Sequence, residues 1–290
     1  MHLNITIKTM SFIILSFYFA SAQAELTLLV NAPRSPIEAQ NKWAGVAEYF
    51  SEVTGETIKI VAIPPNKTDD EAKSENADLM ILNPVMSIFV AHRYNGELLA
   101  NVERGSGGSK IGGVILAKKG SGIIKSADLR GKTVMTYKKA SAAAYIFQLY
   151  HLKSQGITKS DFASMRIAKR QDDIVLAVRA GLIDVGFVKT GLLEVMAKEG
   201  KISLDDFEIV DQRSEGFANV HSTILYPEWY LLATSKEGKK HTSNLTKAAL
   251  TLSADHAAAK KAKINGFIQP ISTKNLDDML REMKLPPFDS

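Results

Sequence analysis

Lys189 and Thr190 end an apolar run and stand just ahead of Gly191-Leu192-Leu193, inside the stretch Gln171–Met196, QDDIVLAVRAGLIDVGFVKTGLLEVM. Ile174, Val175, Ala177 and Val178 share one helical face, Gly181 breaks the helix, and residues 184–188 predict a buried strand. Lys189-Thr190 is then the loop that opens another helix. Ligands of α/β proteins gather at such strand ends, where helix N–H groups and the helix dipole point outward. A charged donor beside a hydroxyl suggests anion binding rather than catalysis. The plainer alternative is a solvated lysine and a helix-capping threonine. Ser141 occupies a similar place, where the loop 137–140 becomes a helix carrying Ala142, Ile146, Leu149 and Tyr150 on one face. Its hydroxyl and the N–H groups of Ala142 and Ala143 could hold an oxyanion; an ordinary N-cap serine, worth about 1 kcal/mol, is the competing reading. Arg34 after the first strand is a second cation for such a site, and Asn83 offers an amide at a strand end, or a turn residue before Pro84. Asp184 reads as a turn carboxylate. Trp43 and Trp229 are read as cleft lining or as packing.

The elements that must position these residues alternate. Residues 26–30 predict a strand, Trp43, Val46, Ala47, Phe50 and Val53 recur at helical spacing, and Gly55 stops that helix. Residues 57–63 predict a second strand and 78–82 a third, followed by Asn83-Pro84 and a helix over 85–93. The glycine-rich run 105–113 (GSGGSKIGG) suggests a bend or a crossing between domains, and it lacks the spacing of a dinucleotide or P-loop motif. A new βα rhythm starts near residue 112 and persists to about 220. Residues 222–225 and 229–233 are strand-like, and the tail from Asn244 is helical. This alternation predicts an α/β protein with a parallel, doubly wound sheet.

Composition removes several classes. The 290 residues carry a net charge of +5, spread along the chain rather than gathered on one face, which argues against nucleic acid. Cysteine is absent and the six histidines are scattered, so neither a disulfide nor a metal or cofactor site is expected. No Gly-x-Ser-x-Gly elbow and no His-Glu-x-x-His occurs, and the pairs Asp172-Asp173 and Asp205-Asp206 do not share a helix face. An enzyme is not expected. Residues 10–20 are apolar but too short to span a bilayer comfortably, and Ala22-Gln23-Ala24 forms a small-x-small site. The expectation is a signal peptide cleaved after Ala24 and a protein exported to the periplasm.

Asp128-Leu129-Arg130-Gly131-Lys132, the strand after it and Ser141 through Tyr145 resemble the phosphate-loop segment of periplasmic phosphonate- and phosphite-binding proteins. Gly181 through Gly186 and the tail 267–288 resemble further blocks of that family, the type II solute-binding proteins of ABC importers. Asn83-Pro84, Val188-Lys189-Thr190-Gly191 and residues 222–229 (STILYPEW) are similar to a sibling branch, the periplasmic input domains of tetrathionate-type sensor kinases, in which an Arg is usual at Lys189. Gln171 stands where the phosphonate binders often have a histidine, so it would offer a neutral hydrogen bond. Ala140, Ala142, Ala143 and Ala144 replace the hydroxyls usual near Ser141. The resemblance implies two α/β lobes, the first from residues 25–112 and 221–290 and the second from 113–220. It implies a small anion held between them by a monomer, passed to an ABC permease or presented to a membrane sensor kinase.

Overall fold

A computed structural model describes residues 25–32, 35–73, 77–214 and 216–289. The leader segment and Arg34 lie outside these described residues. The chain opens with β1 (Glu25–Asn31), α1 (Pro36–Thr54), β2 (Thr57–Ile63), α2 (Thr68–Lys73), β3 (Leu79–Leu82), α3 (Pro84–Arg93) and β4 (Glu97–Glu103). Helix α1 begins where Ser35 accepts a hydrogen bond from the Glu38 N–H and Pro36 takes the first position. It buries Ala39, Trp43, Val46, Ala47 and Phe50, one face at helical spacing, and ends at Gly55, whose φ of 76° suits glycine.

The short β5 (Lys110–Ile111) leads through Gly112 into β6 (Gly113–Lys118), β7 (Thr133–Thr136), a π-helical turn over Ala142–Ile146 that runs into α4 (Phe147–Ser154), and β8 (Ser164–Ile167). Then come α5 (Gln171–Arg179), β9 (Val185–Lys189), α6 (Leu192–Lys198) and β10 (Phe207–Ile209). The return passes through β11 (Tyr226–Pro227) to β12 (Tyr230–Ala233), α7 (Lys236–Lys240), α8 (Thr242–Thr251), α9 (Ala257–Ala262), β13 (Gly266–Ile268) and α10 (Lys274–Glu282).

The strands form a six-stranded sheet in the order β13-β4-β12-β3-β1-β2 and a five-stranded sheet in the order β10-β6-β9-β7-β8. The sheets are mixed rather than parallel, which corrects the sequence expectation. β3, β1 and β2 run parallel, as do β9, β7 and β8, but β12 is antiparallel to both β3 and β4, and β6 is antiparallel to β9 and β10. The reason is the route of the chain. β6 and β12 are the first strands after each crossing between sheets, and each is delivered with its direction reversed. Residues 222 and 223 form bends and 224–225 are irregular, rather than the strand expected there. Their hydrogen bonds go to the start of β6 instead of to a ladder.

The two crossings are joined to each other. β5 pairs antiparallel with β11, Tyr226 opposite Ile111 and Pro227 opposite Lys110. The Gly113 carbonyl accepts from the N–H groups of Ser222 (2.9 Å) and Thr223 (3.2 Å), and the Gly113 N–H donates to Thr223 Oγ1 at 2.9 Å. Ser222 Oγ accepts from the Ile115 N–H at 2.9 Å. Three apolar clusters surround this frame. One packs the six-stranded sheet against α1, α8 and α9, and another packs β6 and β9 against α5 and α6. The third runs from α3 and α10 through α4, with Phe147 stacked on Tyr226 at 4.1 Å, and is continuous between the sheets.

A Cβ on Gly113 would lie 2.6 Å from Gln148, a fully buried side chain. Gly113→Ala is expected to lower unfolding free energy by about 1–3 kcal/mol. Urea denaturation followed by circular dichroism checks this through a lower midpoint at unchanged slope.

Candidate functional site

The C-terminal ends of β1, β3, β7 and β9 and the helices that follow them frame the region where sequence reasoning placed the site. Lys189 ends β9, and its backbone N–H donates to Gln171 Oε1 at 3.0 Å, so these two predicted residues meet. Gln171 is the first residue of α5, and its carboxamide fixes that helix start to the strand end. Thr190 is buried and serves the crossing: its hydroxyl accepts from the Gly112 N–H at 3.2 Å, and its own N–H donates to the Gly112 carbonyl at 3.0 Å.

Asn83 caps α3, accepting from the Met86 N–H at 3.3 Å, while its backbone N–H and its amide both donate to Asn31 Oδ1 at 3.1 and 3.0 Å. Asn31 in turn donates to Thr68 at 3.2 Å. The Asn83 carboxamide is therefore engaged in joining the ends of β1 and β3 to α3. Ser141 precedes the π-helical turn and its hydroxyl makes no capping hydrogen bond. Ala142 and Ala143 are buried, and the turn bends at Ala144 (φ −133°, ψ 23°), whose carbonyl accepts from Thr136 Oγ1 at 2.6 Å. π-turns of this kind recur at functional sites.

Three charged residues that the sequence reading did not single out, Lys42, Arg104 and Glu228, complete the region together with Lys189. Lys42, on α1 beside Trp43, holds its ammonium 5.6 Å from the centre of the Trp43 ring. Arg104, at the end of β4, lies 5.9 Å from Trp43 and 4.9 Å from Trp229, so its guanidinium is shared by both indoles. Glu228 is buried, with Oε2 3.2 Å from Arg104 Nε and 3.0 Å from the Trp229 N–H. Its carbonyl accepts from Asn101 at 2.9 Å, which fixes the turn into β12. Lys189, at the end of β9 in the other sheet, is close enough for its charge to act on Lys42. Burial first, then the charges of Arg104 and Lys189, pushes the Lys42 ammonium down to about 6, with Glu228 acting the other way. On the same side, Glu38 of α1 lies close enough to Arg170, ahead of α5, to favour its charge.

Lys42 and Arg104 escaped sequence reading for different reasons. Lys42 adjoins the apolar stripe of α1, and a lysine there reads as solvated surface. Arg104 follows β4, a strand whose ELLANVE sequence does not alternate, so its neighbours were not assignable. The signal that was available is the pair of tryptophans, each of which has this guanidinium on its ring.

Similarity to known proteins agrees with the fold. Residues 29–274 match the model of a family described as ABC transporter, phosphonate, periplasmic substrate-binding protein. The chain belongs to this family. It is 25% identical over 262 residues, 88% of its length, to the tetrathionate sensor histidine kinase TtrS of Salmonella typhimurium, and it spans 43% of that kinase. Among solved structures it resembles PhnD1 of Prochlorococcus marinus in complex with methylphosphonate. That likeness has a TM-score of 0.72 at 14% identity and covers 90% of this chain and 98% of that one. The periplasmic aliphatic sulphonate binding protein SsuA of Escherichia coli gives a TM-score of 0.55 at 16% identity, covering 90% of this chain and 75% of that one. The fold is that of a type II periplasmic binding protein. Members of the phosphonate-binding family and these fold neighbours are periplasmic binding proteins rather than enzymes. Among the described residues, no helix is long and apolar enough to cross a membrane.

Asp184 lies at the opposite end of β9 from Lys189. It accepts from the Thr133 N–H at 2.8 Å and the Thr133 hydroxyl at 2.7 Å, and those bonds hold its carboxyl below the usual carboxylate range. A depressed folded value stabilises the protein above about pH 3.9 and is lost as pH falls through the folded value. Asp184→Ala is therefore expected to be less stable than wild type at pH 7. The gap should close below about pH 4, and anion affinity should not change. Thermal unfolding as a function of pH checks this.

Proposed function

We propose that this protein captures a small oxyanion between its two sheets and delivers it to an ABC permease. The observation that carries the reading is Arg104, held over the Trp43 and Trp229 rings and paired with buried Glu228, with Lys42 over the same Trp43 ring and the charge of Lys189 acting on it from the other sheet. Positive groups contributed by both sheets repel one another, and a bound anion relieves that repulsion. Ser141 and the N–H groups of Ala142 and Ala143 add donors from the β7 end, where the helix dipole also favours negative charge. Lys189 and Gln171 come from the five-stranded sheet, whereas Lys42 and Arg104 come from the six-stranded one. An anion touching both groups favours approach of the two lobes, here taken as residues 25–112 with 221–290 and residues 113–220, through differential binding to the closed form.

The alanines around Ser141 supply few hydroxyls, so the cations carry more of the recognition than in a hydroxyl-lined phosphonate site. The ligand class is accordingly small oxyanions in general, with phosphonate, phosphite and phosphate among them. A second reading is presentation of the same anion to a membrane sensor kinase, supported by the 25% identity to the tetrathionate sensor kinase over 88% of this chain. The two differ in what the loaded protein stimulates, ATP hydrolysis by a permease complex or autophosphorylation of a kinase.

A thermal-shift screen against phosphate, phosphite, methylphosphonate, sulfate, thiosulfate and methanesulfonate tests capture. At 100 times its dissociation constant a bound anion should add about 2.7 kcal/mol. Arg104→Ala and Lys189→Ala are each expected to weaken that anion about tenfold or more, since each removes a charged donor. Ser141→Ala should weaken it less. No shift with any of these anions would remove the oxyanion reading.

A further inference from the structure

Among the described strands, β2 presents the longest free edge of either large sheet. It closes one side of the six-stranded sheet with seven residues, whereas the other edge strands, β13, β10 and β8, have three, three and four. Short edges resist pairing with foreign strands, and a long one invites it. Two bonds fix the direction of its peptide groups. The Ile63 carbonyl faces β1, accepting from the Ala32 N–H at 2.7 Å, and the Ile58 N–H faces away, donating to Ser51 Oγ at 3.0 Å. Peptide groups alternate along a strand, so those of Ile60 and Ala62 point off the sheet. Among the described residues nothing bonds to them there.

Beside this edge runs a groove of about 640 Å³ between α1 and β2. Its helical wall is low because Ala44, Ala47 and Ser51 recur there at helical spacing, and Ile58 and Ile60 form the strand side. Glu48 and Glu52, both exposed, and Glu56 supply its charge. Among the described residues no cation lies within ion-pair distance of these three, and Glu56 Oε2 is shut from solvent without a hydrogen-bond partner. The groove is thus left negative in a chain whose net charge is +5. Lys59 does not neutralise it: this lysine points to the opposite face of β2 and is answered by Glu25 at 3.8 Å.

We propose that the edge of β2 and this groove dock an extended, basic segment of a partner protein, which adds to the six-stranded sheet as a further strand. Main-chain bonds to Ile60 and Ala62 hold the segment. Its side chains alternate between faces, so Lys or Arg at every second position lies over Glu48 and Glu52, while small residues occupy the far face. A second copy of this chain fits less well. Antiparallel pairing of β2 with β2 sets the two α1 helices side by side and opposes their Glu48 and Glu52 carboxylates, a like-charge contact that disfavours the dimer. None of the docking residues is among the candidate anion donors, so the surface stands apart from the oxyanion reading.

The experiment is fluorescence polarisation of the whole protein with a labelled, end-capped peptide, Thr-Lys-Thr-Lys-Thr-Lys-Thr, and with its glutamate counterpart. The lysine peptide is expected to bind saturably at low salt and more weakly as screening increases, and the glutamate peptide not at all. Replacing both carboxylates, Glu48→Gln with Glu52→Gln, should weaken the lysine peptide by about tenfold. Both positions are exposed, so the thermal midpoint of that variant should stay at the wild-type value. N-methylation of one alternate set of peptide residues should abolish binding, and of the other set should leave it, because only one set faces β2. Equal effects of the two sets, or binding unchanged in the double variant, would mean attachment by charge alone and overturns the proposal. No binding of the lysine peptide overturns it as well. Concentration-dependent dimerisation that is lost in Ile60→Pro, which removes an outward N–H and spares the β1 ladder, assigns the edge to a second copy instead.

Discussion

The structure turns on one residue without a side chain. Gly113 accepts two backbone hydrogen bonds through its carbonyl, donates one through its N–H and leaves no room for a Cβ beside Gln148. Those contacts hold the outgoing and returning crossings against each other, and every strand of the five-stranded sheet lies between them in sequence. Gln148 extends the clamp, donating to the carbonyls of Ala143 (2.9 Å), Val188 (2.9 Å) and Val114 (3.3 Å). It thereby ties the π-turn after Ser141 to the ends of β6 and β9. Lys189 and Thr190 are the next residues of that same strand end. The position of the candidate donors thus depends on a polar side chain buried among backbone carbonyls, where a lost partner is costly.

Against that rigid frame the charged group around Trp43 and Trp229 is electrostatically uncomfortable. Arg104 is held by Glu228 and two indoles, an arrangement that satisfies a guanidinium through its faces as well as its edge. Lys42 lies over the Trp43 ring at 5.6 Å but has no carboxylate within ion-pair distance among the described residues, and Arg104 and Lys189 disfavour its charge. Stored repulsion of this kind is a cost in the empty protein, and it is the form of cost that an anion removes on arrival. On the reading proposed, binding energy and the bias toward a closed form have a common source, because Lys189 sits on a different sheet from Lys42 and Arg104.

How much of this was legible depended on whether a residue's role was local. The α/β alternation, the helix of Trp43, Val46 and Phe50, the start of α3 after Asn83-Pro84 and the strand before Lys189 follow from periodicity and capping, which act within a few residues. Gln171 and Lys189 were both named from sequence, and the bond between them closes over 18 positions. The reversal of β6 and β12 was not legible, since strand direction is decided by the crossings. The cluster of Lys42, Arg104, Lys189 and Glu228 was not legible either. Its members are scattered from the second turn of α1 to the turn into β12, and no short-range pattern distinguishes them from surface charge.

The alanines at 142–144 and the cations at 42 and 104 belong to one argument. A π-turn start lined by hydroxyls offers neutral donors at short range, which suits an anion that can also give up or keep a proton. Here methyl groups close that wall, with Ala142 and Ala143 buried against the α3 side, and only backbone N–H groups and Ser141 remain. The donors moved to the opposite sheet are longer, charged and set against aromatic faces. Such groups recognise charge more than shape, because an ammonium on a four-carbon stem adapts its reach while a hydroxyl on a fixed turn does not. On the reading proposed, the site therefore exchanged close geometric fit for charge complementarity. The anion it selects would be distinguished from its rivals by the number of charges it brings, more than by the arrangement of its oxygens.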